Sequence, residues 1–184
     1  VPAEWQHLAS VPQLVVALDL DGTLIPFAPT PEDARIGDDA AQLVEQLASS
    51  PGVTLGLLSG RARELVEDLT TRFPSIAIAA EHGVWRHVDG EWTSALAPVP
   101  QLDDIWDALS TLARRYPGAF VERKTCSVCL HWRQVAPEQH DEVAEIAEVL
   151  VDEWLETHQQ LERLHAAEAL EVRHMSAHKG LALS

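Results

Sequence analysis

Residues 14–24 of the chain read LVVALDLDGTL, an apolar run that ends in two aspartates and a glycine. An unbroken apolar run that ends in acid is typical of a strand buried on both faces of a parallel sheet. Asp19 and Asp21 are separated by one residue at the end of this strand, and we expect their carboxylates to point in different directions. The dipeptide Asp21-Gly22 could also serve only to reverse the chain in a turn.

Two carboxylates at a strand end suit phosphoryl transfer. One can attack phosphorus and form an acyl phosphate. The other can protonate the leaving alkoxide and then activate water. Because two carboxylates repel a phosphate dianion, the site needs a hard cation such as Mg²⁺. Asp19 and Asp21 therefore predict a magnesium-dependent site for phosphoryl transfer.

Two more buried strands are predicted, at residues 53–58 and 76–80, with helices at 38–49 and 61–73. This alternation is the pattern of a doubly wound parallel sheet. Ligands bind such sheets beyond the carboxyl ends of the strands. Ser59 follows the second strand, where a hydroxyl and helix amides can hold phosphate oxygens. Serine is also a common helix N-cap, so Ser59 by itself leaves both interpretations open.

The second half of the chain follows a different pattern, helix–strand–strand–helix–strand–strand, after a hairpin and the prolines Pro98 and Pro100. It predicts a small α+β module with helices on one face of one sheet. Apolar and polar residues alternate along the strand at 127–133, and Glu122 and Lys124 share one face of the preceding strand. That face is free to bind something polar, or it is an ordinary solvated face.

The composition limits the partners. Lys and Arg number 13 against 29 Asp and Glu, a net charge of −16. This argues against nucleic acid and anionic membranes, which bind basic patches. No apolar run is long enough to span a membrane and no signal peptide opens the chain, so we expect a soluble, cytoplasmic protein. Cys126 and Cys129 lie three residues apart on a predicted strand and should remain free.

Together these motifs resemble the haloacid dehalogenase superfamily of phosphatases. Its first motif matches residues 19–24, its second Ser59 and its third Lys179, a residue that alone would read as a surface lysine. A cap inserted between the second and third motifs is that superfamily's C2 arrangement. The resemblance implies an α/β fold: a Rossmannoid parallel-sheet core at residues 1–97 and 170–184, and an α+β cap at 98–169.

Within the superfamily, the chain is most similar to the trehalose-6-phosphate phosphatases. The matching segments are 58–61, 81–83, 116–119, 122–133 and 171–172. The resemblance implies hydrolysis of trehalose 6-phosphate to trehalose and phosphate through an aspartyl-phosphate, in trehalose biosynthesis. The partner would be a small sugar phosphate.

The resemblance also implies residue roles. Asp19 would be the nucleophile and Asp21 the general acid/base, while Ser59 and Lys179 would bind the phosphoryl group. Asp19 and the backbone carbonyl of Asp21 would ligate Mg²⁺. The implied substrate-binding residues are Gly22, Thr23, Gly60, Arg61, Glu122, Lys124, Arg133 and Glu171, with Ser127 and His131 as further candidates.

One family feature has no match here. The fourth motif, an acidic pair that completes the metal site, is expected beyond Lys179, so we expect the C-terminal part of the core to be missing and the chain alone to be poorly active. The alternatives are another sugar-phosphate phosphatase with the same type of cap, a phosphomutase, and a non-catalytic domain of a larger trehalose-metabolism protein.

Overall fold

The computed structural model describes residues 3–8, 10–26 and 35–183. The chain divides into two compact units. The first comprises residues 1–95 and 182–184, and the second residues 96–181.

The first unit is built on a five-stranded sheet in the order β1-β2-β3-β4-β5. Its elements are α1 (Ala3–Leu8), β1 (Leu14–Asp19), α2 (Asp38–Ala48), β2 (Val53–Leu58), α3 (Glu67–Arg72), β3 (Ala77–Ala80), β4 (Trp85–Val88) and β5 (Glu91–Ser94). The first three strands are parallel, as predicted, whereas β4 and β5 continue the same sheet antiparallel. The sheet is therefore mixed rather than wholly parallel.

The register of the parallel strands brings their carboxyl ends level. Asp19 pairs with Leu58, and Leu58 pairs with Ala79. Side chains from the inner positions, among them Leu57 and Ile78, are almost completely buried in a core that also takes Val44 of α2. Burial on this scale is the main stabilising term of the fold. It fixes the strand ends at one edge of the sheet.

The helix predicted at 61–73 is interrupted. A 3₁₀ turn at Arg63–Leu65 is followed by α3, with Val66 between them at φ −119°. The carbonyl of Arg61 accepts a hydrogen bond of 2.9 Å from the amide of Glu81. The first carbonyl of the predicted helix is therefore bonded to the neighbouring strand end, and the α-helix begins later than the apolar periodicity predicts.

The second unit has four antiparallel strands in the order β6-β7-β9-β8. Its elements are α4 (Leu102–Ala113), β6 (Phe120–Arg123), β7 (Ser127–His131), α5 (His140–Leu155), β8 (Leu161–Ala166) and β9 (Ala169–His174). Helix α4 packs on β6 and β7, and α5 packs on β8 and β9. Leu130 and Val172 are completely buried beneath them. The predicted one-sheet α+β arrangement is confirmed.

The structure moves the second of the two predicted boundaries. Residues 170–184 were expected to return to the first unit, but β9 pairs with β7 on one side and with β8 on the other. Leu170 and Val172 are buried in the second unit, so the chain returns only at residue 182. The predicted boundary at residue 169 came from the family resemblance, whereas the pattern of helices and strands in the second half of the chain already included this strand.

Two smaller expectations can be compared with the structure. Cys126 and Cys129 are both buried, and neither forms a disulfide bond. Over the described ranges, no helix combines the length and the apolar composition that crossing a membrane would require.

Candidate functional site

A tight turn follows β1 and carries the first predicted site residues. The carbonyl of Leu20 accepts hydrogen bonds from the amides of Thr23, Leu24 and Ile25, and Leu20 and Ile25 are buried. Gly22 takes φ +76°, a conformation that glycine adopts without steric cost. The Asp19 carboxylate caps the start of the turn, accepting a 2.9 Å hydrogen bond from the Leu20 amide.

This turn already uses the backbone amides of two predicted substrate-binding residues. The amide of Gly22 donates to the Ile25 carbonyl at 2.8 Å, and that of Thr23 donates to the Leu20 carbonyl at 3.2 Å. Thr23 is exposed, so its hydroxyl is the group that it can offer to a ligand.

Arg61 holds the carboxylate of Asp21. Its Nε donates to Oδ2 at 3.0 Å and its Nη2 donates to Oδ1 at 2.6 Å. The guanidinium side chain is only 9% exposed and the aspartate 35%. Two parallel bonds between a guanidinium and a carboxylate fix orientation as well as charge. The sequence assigned Arg61 to the substrate; the structure shows it oriented by Asp21, a pairing that the equal height of the two strand ends could have indicated.

Ser59 and Gly60 lie against a strained turn. The buried Ser59 hydroxyl accepts from the Arg61 amide at 3.1 Å, and the Ser59 carbonyl accepts from the His82 amide at 2.9 Å. Glu81 and His82 both have positive φ, 48° and 59°. Such strain costs about 1–3 kcal/mol per residue and clusters at functional sites. A Cβ on Gly60 would lie 2.5 Å from Cε1 of His82, so a side chain at this position would require the His82 ring or its turn to shift.

The structure thus places most of the predicted core residues at one edge of the first unit. They are Asp19, Asp21, Gly22, Thr23, Ser59, Gly60 and Arg61. Lys179 begins a 3₁₀ helix, Lys179–Leu183, and belongs to the second unit. Its predicted approach to Asp19 stays a prediction.

The donor set at this edge suits Mg²⁺ in kind. The Asp19 carboxylate and the Asp21 carbonyl supply hard oxygens, and Mg²⁺ commonly keeps several waters and binds through one or two carboxylates and substrate phosphate. Across residues 3–8, 10–26 and 35–183, no group of three or more His, Cys, Asp or Glu side chains is placed to hold a metal ion. The residues present therefore fit Mg²⁺, which the Asp19 carboxylate and the Asp21 carbonyl would hold, with the remaining ligands supplied by water and substrate.

A second polar cluster lies on the sheet of the second unit, on the face opposite α4 and α5. Glu122, Cys129 and Glu171 are neighbours in register across β6, β7 and β9. Lys124 Nζ lies 3.1 Å from Glu171 Oε1 and 3.7 Å from Glu122 Oε2. We call the set Glu122, Lys124, Ser127, Cys129, His131 and Glu171 the polar face.

Two residues of β7 complete the hydrogen bonding of the polar face. Ser127 Oγ donates to Glu171 Oε1 at 2.5 Å. His131 Nε2 lies 3.0 Å from Glu122 Oε2. Cys129, which the sequence analysis did not assign to the site, lies between the two glutamates; the alternation along residues 127–133 is the signal that could have placed it there.

Burial and charge act against each other on the polar face. Burial alone would lower the pKa of Lys124, but the charges of Glu171 and Glu122 raise it well above its ordinary value. Burial alone would raise the pKa of Glu122, but the hydrogen bond from His131 and the charge of Lys124 hold it below its ordinary value. Burial raises the pKa of the Cys129 thiol, which stays neutral. The face thus carries the Glu122 carboxylate and the Lys124 ammonium, and Lys124 donates a hydrogen bond to Glu171.

One oxygen of this cluster has no partner. Glu122 Oε1 is buried and accepts no hydrogen bond from any residue in the described ranges. A buried acceptor left without a donor costs about 1–3 kcal/mol. A ligand hydroxyl or amide would satisfy it.

Arg133 is held at the β8–β9 turn. Its Nε donates to Glu168 Oε2 at 2.9 Å, and its Nη2 donates to the Ala167 carbonyl at 3.1 Å. The structure therefore groups Glu122, Lys124 and Glu171. Arg133, the other substrate-binding residue that the resemblance implies in this unit, is held by Glu168 and Ala167 instead.

Comparison with known sequences extends over nearly the whole chain. A sequence model of the trehalose-phosphatase family matches residues 17–184. The trehalose-6-phosphate phosphatase of Escherichia coli is 33% identical over 139 residues, 74% of this chain and 51% of that protein. A bifunctional trehalose-6-phosphate synthase/phosphatase of Thermoproteus tenax is 32% identical over 131 residues, 68% of this chain and 17% of that protein. The chain thus spans about half, or much less, of the length of these relatives.

Solved structures show the same fold. The C-terminal domain of the Candida albicans trehalose-6-phosphate phosphatase matches with a TM-score of 0.85 at 23% identity, over 95% of this chain and 62% of that chain. A haloacid dehalogenase-like hydrolase from Bacillus subtilis matches with a TM-score of 0.54 at 17% identity, over 92% of this chain and 76% of that chain. The predicted α/β fold of the haloacid dehalogenase type is confirmed.

Proposed function

Because this chain belongs to the trehalose-phosphatase family, we propose that the protein hydrolyses trehalose 6-phosphate to trehalose and phosphate through an aspartyl-phosphate, in trehalose biosynthesis. The observation that carries the proposal is the pair of strand-end carboxylates in different environments. Asp21 is held at both oxygens by Arg61, whereas Asp19 is bonded to the start of the turn. Two carboxylates in distinct environments can divide the work of attack and proton transfer.

The reaction has two displacements. In the first, an Asp19 carboxylate oxygen bonds to phosphorus while the bond from phosphorus to the sugar oxygen breaks, and Asp21 gives its proton to that oxygen. In the second, Asp21 takes a proton from water, whose oxygen attacks phosphorus and releases Asp19 and phosphate. Since Asp21 must carry a proton, at least one of its bonds to Arg61 has to open during the cycle.

Charge neutralisation completes the proposal. Ser59 and Lys179 would bind the phosphoryl oxygens, with Gly22, Thr23 and Gly60 lining the pocket. Mg²⁺ would be held by the Asp19 carboxylate and the Asp21 carbonyl, and would reduce the repulsion between the carboxylates and the phosphate. The polar face would bind sugar hydroxyls through Glu122, Lys124 and Glu171, with Arg133 beside them. Charged groups on rigid strands suit that task.

The test is phosphate release by the purified protein with Mg²⁺. We expect release from trehalose 6-phosphate at least about tenfold faster than from glucose 6-phosphate, because the second glucose adds hydrogen bonds that the smaller substrate lacks. Asp19→Asn should abolish turnover. Asp89→Asn, in the exposed β4–β5 turn, is the matched control and should leave the rate unchanged. Equal rates on the two substrates would refute the substrate, and an active Asp19→Asn variant would refute the nucleophile.

A non-catalytic domain is the second candidate. It is favoured by the two hydrogen bonds from Arg61, which occupy both carboxylate oxygens of Asp21, the proposed acid. Binding of trehalose 6-phosphate without release of phosphate would support it. The cytoplasmic location stays a prediction, with which the free thiols of Cys126 and Cys129 agree.

A further inference from the structure

The two glutamates of the polar face are each held by a neighbour from β7. His131 Nε2 lies 3.0 Å from Glu122 Oε2, and Ser127 Oγ donates to Glu171 Oε1. The resemblance to the family made Ser127 and His131 candidate sugar contacts. The structure shows their polar atoms directed at the carboxylates instead.

The hold on Glu122 is asymmetric. Its Oε2 lies 3.0 Å from His131 Nε2 and 3.7 Å from Lys124 Nζ. Its Oε1 is buried and has no hydrogen-bond donor within the described part of the chain. The side chain is only 17% exposed, so water does little to compensate Oε1. The protein therefore fixes Oε2, and Oε1 is the oxygen that can accept a hydrogen bond from a ligand.

The ring of His131 is itself fixed. It stacks on Phe120, with ring centroids 4.6 Å apart and an interplanar angle of 14°. Phe120 and His131 are partners in register across β6 and β7. Because an ionised carboxylate can only accept, the proton of this hydrogen bond must be on Nε2 of His131. Stacking and register therefore orient a donor towards Glu122 before any ligand arrives.

We propose that His131 is a positioning residue, which holds Glu122 so that its free Oε1 accepts a hydrogen bond from a hydroxyl of the sugar. This rests on the proposed function, and it changes the role of His131 from a sugar contact to a support of one. The remaining neighbours agree with it. Lys124 and Glu171 compensate each other at 3.1 Å, and the neutral thiol of Cys129 adds no charge. Glu122 remains anionic because His131 and Lys124 hold its pKa below the ordinary value against the effect of burial.

A double-mutant cycle separates support from contact. Trehalose binding would be measured by calorimetry for the wild type, His131→Ala, Glu122→Ala and the double variant. We expect His131→Ala to weaken binding about tenfold alone and less than about twofold when Glu122 is already alanine, because residues in one network are coupled. His131→Gln, which restores an N–H donor, should recover most of the affinity. An equal loss in both backgrounds would make His131 a direct contact and overturn the proposal.

His165→Ala is the matched control. His165 pairs with Glu148 at 3.6 Å and lies on the other face of the same sheet, so its loss should leave trehalose affinity unchanged.

A second readout does not depend on the sugar. The Glu122 carboxyl can be titrated by carbon-13 NMR, and its pKa should rise in His131→Ala towards the ordinary value. An unchanged titration would overturn the proposal even if affinity fell. If the wild type binds no trehalose while the titration moves as expected, His131 does position Glu122, and the proposed function is what fails.

Discussion

Arg61 and Asp21 form a bidentate ion pair, 3.0 Å and 2.6 Å long, between the turns that follow β2 and β1. The pair joins two segments separated by 40 residues in sequence and sets the orientation of the proposed acid/base. An aspartate in this position is restrained until one of the two bonds opens.

Replacing Arg61 by lysine tests that restraint. Lysine keeps the charge but cannot bind both oxygens through a planar fork. We expect kcat/KM on trehalose 6-phosphate to fall about tenfold or more, the effect of misplacing a catalytic group. Arg63→Lys is the control, because the Arg63 guanidinium lies over the rings of Trp85 and Trp92, and its Nε pairs at 3.6 Å with Glu64, which is 70% exposed. Unchanged kinetics in Arg61→Lys would show that the bidentate hydrogen bonding of Arg61 to Asp21 does not contribute to catalysis.

Gly60→Ala should displace the turn at residues 81–83. The new methyl group would lie 2.5 Å from the His82 ring, so either the ring or the loop must shift. We expect a loss of about 1–3 kcal/mol in unfolding free energy, measured by urea titration, together with a lower phosphatase rate. Gly37→Ala is the comparison, because a methyl group added at Gly37 would meet nothing within 4 Å. Equal losses of unfolding free energy in Gly60→Ala and Gly37→Ala would contradict the close approach of Gly60 to the His82 ring.

Lys124→Met should be strongly destabilising. Lys124 and Glu171 are 6% and 7% exposed, so removing the ammonium takes away the cation that lies between two largely buried glutamates. We expect a loss of about 3–5 kcal/mol in urea unfolding. Arg163→Met removes an ion pair of 2.7 Å with the exposed Asp152 and should cost less than about 1 kcal/mol. A mild effect at Lys124 would mean that the carboxylates share a proton instead.

Glu122 should make the free energy of unfolding decrease as the pH falls. Its folded pKa lies below its ordinary value of 4.5, so the folded state binds fewer protons than the unfolded state. The stabilisation it contributes is complete above that ordinary value and is lost as the pH falls through the folded pKa. In urea unfolding, the wild type should therefore lose more stability than Glu122→Gln between neutral pH and about pH 3.5. Parallel losses would show that Glu122 is not coupled to its neighbours.

The sequence predicted the strands and the chemistry of their ends better than it predicted side-chain partners. The apolar run before Asp19 and its counterpart before Ser59 locate β1 and β2 closely, since a strand buried on both faces needs such a run. The late start of α3 was not predicted, and the hydrogen bond from the Glu81 amide to the Arg61 carbonyl, which comes from a different strand end, is not visible in the sequence.

Tertiary partners explain the remaining differences. The family resemblance implied that Arg61 binds the substrate, whereas in the structure the level strand ends bring Arg61 to Asp21. The order of helices and strands placed β9 in the second unit, where Leu170 and Val172 are buried, and only the boundary taken from the family resemblance assigned it to the first. The Glu122–Lys124 pair was predictable, because both residues share one face of one strand.

Strand β1 occupies the outer position of its sheet, with β2 as its only partner strand among the described residues, and Val15 on it is 71% exposed. An open apolar edge is a template on which a second molecule can add a strand. We therefore expect any strand that adds to this sheet edge to pair with β1, the strand that carries Asp19, and a charged substitution at Val15 to weaken that pairing.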